Sequence, residues 1–178
     1  MADFEAEMRD YKLTEMNEKA ENAVAIAVAS TTATGVIPIP FADAPAMIAQ
    51  QVALMARICA VYEIDVGKDG LKMLATAALS AGGATVVGKT IASNLFKMIP
   101  GVGTVAGAAI SGGTAGVVTF AMGKAFIKVC QMVKVGKLSE DEMLSSKGKD
   151  VMKEEFKNRS ASIKNKVLPD QFDFLMWW

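Results

Sequence analysis

The 178-residue chain contains no histidine. That removes Ser-His and Cys-His nucleophile pairs and imidazole acid–base chemistry in one step. Cysteine is scarce. Cys59 and Cys130 stand far apart within apolar helical patterns, no C-x-x-C occurs, and a zinc or redox motif is therefore excluded on spacing. Two buried thiols in a reducing cytosol are the expectation. Aromatic residues make up only 7% of the chain, although hydrophobic residues reach 52% and there are 12 Met. The apolar bulk is Ala, Val, Ile, Leu and Met, which favours helices over sheet. The acidic, polar start "MADFEAEMRD" is not that of a signal peptide.

Charge of one sign is missing from the middle. Residues 1–70 carry eleven acids against five bases, and residues 140–178 eight against seven. From Leu71 through Ser139 there is no Asp or Glu, while seven Lys occur. Overall net charge is zero, so no nucleic-acid partner is indicated. A basic, acid-free apolar middle suits an anionic membrane surface or an acidic partner, and equally Lys lining the edges of core helices.

What is present reads as a single all-α domain over 1–178. Asp3 opens an N-terminal helix over 3–30, and Gly35, Pro38 and Pro40 break the chain after it. Asp43 is expected to cap an amphipathic helix over 44–63, with Pro45 in its first turn and Ile48, Val52, Met55, Cys59 and Tyr62 at helical spacing. Residues 71–133 form a small-residue helical hairpin, broken at Pro100–Gly101, around which the bundle is built. Ser139, with Glu142 three residues on, opens a charged helix over 139–166 through a capping box. An aromatic tail, 167–178, ends on Trp177 and Trp178, residues suited to a membrane interface, to a partner or to the bundle's own surface.

One stretch resembles a nucleotide site. "GATVVGKT" fits G-x-x-x-x-G-K-[ST], with Gly83, Gly88, Lys89 and Thr90 at the fixed positions. A P-loop follows a strand, however, and the run before this one is "LKMLATAALSA", made of helix formers. No acid that could serve as a Walker B carboxylate follows until Glu140. The match is read as a decoy, with no catalytic, cofactor or metal residues expected; a P-loop NTPase is the remote alternative. As a helix the same segment aligns Ser80, Ala84, Gly88 and Ala92 in a stripe of small residues.

Gly103, Gly107 and Ser111 continue that theme at four-residue intervals, and Gly112 and Gly116 make a G-x-x-x-G, the spacing that lets helix backbones approach closely. Residues 98–123 run for 26 positions without a charge. That is long enough to span a bilayer, but it is poor in Leu, Ile and Phe, so the buried centre of a bundle or oligomer is the competing reading.

"GVIPIPFADAPAMIAQQVALMARICAVYEID" and "FKMIPGVGTVAGAAISGGTAGVVTFAMGKAF" resemble a widespread bacterial domain of unknown function, family six-nine-seven of that series, over about residues 20–158. Members occur C-terminal to Era-like GTPase domains, alone, or in uncharacterised inner-membrane proteins. The resemblance implies an accessory helical module in the bacterial cytoplasm or at the cytoplasmic face of the inner membrane, associating with a GTPase in trans, with membrane or with itself. The combined expectation is a non-enzymatic helical scaffold that forms a homo-oligomer or docks on membrane. A membrane-inserting or pore-forming hairpin is the alternative.

Overall fold

The computed structural model describes residues 2–34, 44–82 and 106–167. These form six helices and contain no strand: α1 (Ala2–Thr34), α2 (Ala44–Val61), α3 (Lys68–Gly82), α4 (Ala106–Lys134), α5 (Glu140–Leu144) and α6 (Ser146–Val167). The fold is all-α. Asp43, Gly83, Ala84, Gly88, Lys89, Thr90, Ala92, Gly103, Trp177 and Trp178 lie outside the described residues.

Side-chain pairs fix the directions of the helices. Lys12 meets Glu63, Asn17 meets Tyr62 and Gln131, and Glu21 meets Lys124. Thus α1 runs antiparallel to both α2 and α4. Gln51 meets Thr119 on the other side, which makes α2 and α4 parallel. The bundle alternates up and down, with α4 packed against α1, α2 and α6. Its core is built on Met55, Ile58, Tyr62, Leu71, Leu74, Met122, Phe126, Met152 and Phe156, all essentially inaccessible. Burying each such side chain contributes about 1.5–3 kcal/mol.

The lower turns show how the sequence ends its helices. α4 closes on Gly136 (φ 71°), with Lys137 N–H donating to the Met132 carbonyl at 2.8 Å. This is a glycine C-cap with the six-to-one bond of a Schellman motif. α2 closes the same way, with Ile64 N–H on the Cys59 carbonyl at 3.0 Å, but there the left-handed position is Glu63 (φ 51°). Its carboxylate pairs with Lys12 at 2.9 Å.

The larger differences from the sequence reading are at α1 and the charged helix, while α2 ends at Val61 rather than 63 and α3 begins at Lys68 rather than 71. α1 continues through Thr34, and within it Thr31 Oγ1 donates to the Ala27 and Val28 carbonyls. The charged helix is interrupted at Ser145, whose backbone is extended (ψ −175°). Its hydroxyl donates to the Glu142 carbonyl and accepts from Lys147 N–H, ending α5 and starting α6. The expected capping box is present: Glu142 N–H donates to Ser139 Oγ, and Ser139 N–H to Glu142 Oε2, both at 3.0 Å.

Candidate functional site: an uncharged pole

The helix directions place Thr34, Ala44, Gly82, Ala106 and Val167 at one end of the bundle. Toward that end four helices lose every charge: residues 22–34 of α1, 44–56 of α2, 73–82 of α3 and 106–123 of α4. The upper part of α6 holds bases but no acid, with Arg159, Lys164 and Lys166. The segments 35–43, 83–105 and 168–178, outside the described residues, flank these helix ends in sequence and contribute Lys89, Lys97 and Asp43, Asp170 and Asp173.

The outward surface of this pole is apolar or weakly polar. Ala25, Ile26 and Ala29 face out from α1, Ala49, Gln50, Ala53 and Ala56 from α2, Thr76 and Ser80 from α3, and Phe120 from α4. Ile26 is 61% exposed and Phe120 39%. A surface helix in water ordinarily places Lys and Glu there. The Thr76 and Ser80 hydroxyls donate to their own backbone, to the Lys72 and Ala77 carbonyls.

An ion pair, Glu21 with Lys124, marks the edge of the pole, and the Lys124 ammonium sits 5.9 Å from the Phe120 ring centre. Just above it, Gly123 brings α4 onto α1: a Cβ there would stand 2.5 Å from Val24 Cγ2. Inside the pole Gln51, 2% exposed, donates to Thr119 Oγ1 at 3.0 Å, and its Oε1 is buried without a partner. Below the edge, Asn17 Oδ1 accepts from the Tyr62 hydroxyl and from Gln131 Nε2, and burial pushes the Tyr62 phenol up to about 12.

Of the small residues singled out in the sequence, Gly107, Ser111 and Gly112 lie in the first turns of α4, Gly116 is buried in that helix, and Ser80 is exposed on α3. The small residues of α3 that pack inward are Ala75 and Ala78. The run leading to the P-loop-like match is the helix α3, where a P-loop has a strand. Among the described residues, no group of three or more Cys, Asp and Glu side chains is placed to hold a metal. Sequence reasoning missed the pole itself, whose signal is four separate charge-free stretches that meet only once the helix directions are known.

A family model described as "Domain of unknown function (DUF697)" matches residues 1–158. The chain belongs to this family. It is also 29% identical over 113 residues to "Magnetosome membrane protein 22" of Magnetospirillum gryphiswaldense, an alignment covering 61% of this chain and 56% of that relative. The chain thus spans about half the length of the curated relative it matches. No solved structure matches it. One described helical segment, Gly116–Lys134, is long and apolar enough to cross a membrane, but 61% of it is buried inside the bundle.

Proposed function

We propose that the protein is a helical module that docks on membrane by setting its uncharged pole into the lipid while the charged pole stays in water. The observation that carries this reading is the segregation of charge along the bundle axis. Apart from Gln50, the outward face of α1–α4 here is Ala, Ile, Phe, Ser and Thr, which costs little to place against lipid, and the Glu21–Lys124 pair marks where that surface ends. The membrane-protein relative supports the same reading.

Depth favours insertion into one leaflet over spanning. The charge-free stretches of α1 and α2 are 13 residues each, about 20 Å of helix, against a hydrocarbon core of about 30 Å. The span candidate in α4 also carries Lys124, Lys128 and Lys134 and forms the centre of the bundle. The fifth helix at this end, α6, brings Arg159, Lys164 and Lys166 there as well, so their long side chains would have to reach out of the hydrocarbon to headgroups.

Flotation of the purified protein with vesicles tests the proposal. Binding to neutral phosphatidylcholine vesicles that survives high salt is expected, with a modest gain when anionic lipid is added. Protein that stays at the bottom of the gradient with both vesicle types, or that binds only anionic vesicles and releases in high salt, would overturn it.

A second copy is a competing cover for part of the same surface. Ala49, Ala53, Ala56 and Ala60 line up outward along α2, the small-residue spacing at which helices approach closely. Light scattering in the absence of lipid separates the two readings, since an oligomer built on this face forms without vesicles.

A further inference from the structure

The N-terminal end of α1 projects past the bundle. Lys12 pairs with Glu63 just beyond the last turn of α2, and Phe4 through Lys12 are all exposed, on every side of the helix. This arm is about 13 Å long. Phe4, Met8 and Tyr11, spaced i, i+4 and i+7, form one apolar stripe along it, each more than half exposed. The arm is acidic, with Glu5, Glu7 and Asp10 against Arg9, while Lys12 is engaged by Glu63. Among the described residues none of those three carboxylates has an ion-pair partner.

A surface of matching chemistry lies on the far side of the bundle. α1 packs over the edge where α2 meets α4, whereas α3 and α6 pair along the opposite edge. Between α3 and α6 runs an open groove of about 440 Å³, lined by Lys72, Met73, Thr76, Ala77 and Lys149 among others. Both lysines stand in the first two turns of their helices, at the end of the bundle from which the arm projects. Neither has an ion-pair partner among the described residues. The groove's one acid, Asp69, is opposite in sign to the arm's Arg9.

We propose that two copies of the chain pair end to end, charged pole to charged pole, each laying its arm in the α3–α6 groove of the other. The symmetry follows from the opposed placement. A twofold axis perpendicular both to the bundle and to the line from α1 to the α3–α6 edge exchanges those two sides. An arm leaving one copy on its α1 side therefore meets the next copy on its α3–α6 side, and the pairing closes at two copies. The apolar stripe leaves water against Met73 and Ala77, while the arm's carboxylates meet Lys72 and Lys149. Two arms packed on each other would instead set Glu5, Glu7 and Asp10 against like charge. The uncharged poles point away from each other in this pair, so it neither covers them nor needs them to bind lipid.

Sedimentation equilibrium of the purified full-length protein without lipid is the test. A monomer–dimer equilibrium is expected, weakened about tenfold or more by Phe4→Glu or Tyr11→Glu at unchanged Tm. Ala53→Glu, on the outer face of α2, should leave it as it is. Reversing the arm (Glu5→Lys with Glu7→Lys) or the groove (Lys72→Glu with Lys149→Glu) should abolish pairing of either protein alone. Mixing the two reversed proteins should restore it, because each arm then finds a groove of opposite sign. A monomer throughout, reversed proteins that do not associate when mixed, or a dimer that survives Phe4→Glu and dissociates in Ala53→Glu would each overturn the proposal. Flotation reads the other pole separately: a dimer that does not float with vesicles sinks the lipid reading alone, and a monomer that floats sinks this one alone.

Discussion

Below the Glu21–Lys124 pair the helices are joined by polar bonds that leave little choice of register: Lys12 to Glu63, and Tyr62 and Gln131 to Asn17. Above it the described helices meet through apolar side chains, the close approach at Gly123 and the Gln51–Thr119 bond. One half of the bundle is thus specified by its polar contacts and finished with a charged surface. The other half is held by packing and left with a surface that water does not favour. A bundle built only for solution would have no reason to differ so much between its ends.

Acidic substitutions on the outer face of the uncharged pole break that comparison directly. Ile26→Glu and Phe120→Glu place a carboxylate on the outer face of the uncharged pole, where an acid meeting lipid costs more than 1 kcal/mol. Each should weaken vesicle flotation about tenfold or more, a free-energy difference of about 1.4 kcal/mol. Phe4→Glu, at an exposed apolar position near the start of α1 at the opposite end, should leave flotation unchanged. Equal losses from all three variants would mean that the poles do not differ in their use.

How much of this was legible in the sequence follows from the range of the interactions. Local chemistry read well: the Ser139–Glu142 box is a three-residue signal, and the helix over 44–61 announced itself through Ile48, Met55 and Tyr62. The break at Ser145 was missed because its cause is a hydroxyl serving two helices at once, which periodicity does not register. Small-residue stripes on α3 were visible, but their facing was not, since Ser80 points outward while Ala75 and Ala78 point in. The pole needed the up-and-down order of the helices, which joins residues dozens of positions apart.

Two glycines sharpen the contrast next. A Cβ on Gly148 would run into the backbone carbonyl of Met143, whereas one on Gly123 meets the side chains of Val24 and Leu54. Gly148→Ala at the charged pole should therefore cost about 2–3 kcal/mol in urea unfolding, because backbone has nowhere to go. Gly123→Ala should cost less: Val24 can turn, and the helix gains about 1 kcal/mol from losing a glycine. The reverse ranking would show that the α1–α4 seam is the more rigid of the two.

Tyr62 tests the polar half at high pH. Its phenol is raised to about 12 by burial, so the folded chain keeps a proton that the unfolded chain gives up near 10. Between those values the folded state binds more protons and stability falls as pH rises. Tyr62→Phe should lose about 1 kcal/mol at neutral pH, from the bond to Asn17, and should show less of the alkaline decline. Denaturant midpoints at pH 8, 10 and 11 check both parts.

The smallest effect is at the capping box, where the charged pole is built from local chemistry alone. Ser139→Ala removes the acceptor for Glu142 N–H and should cost about 1 kcal/mol. Glu142 itself is held below the usual carboxylate value by Lys147 first and the Ser139 N–H second. A depressed carboxyl stabilises above its unfolded value, and that contribution is lost as pH falls through the folded value. The acid-side decline should therefore survive in Ser139→Ala, since the alanine keeps both the backbone N–H and the lysine, and shrink in Lys147→Ala. Were Ser139→Ala to flatten it instead, the hydroxyl would be what positions the carboxylate, and α5 would depend on its cap for more than one backbone bond.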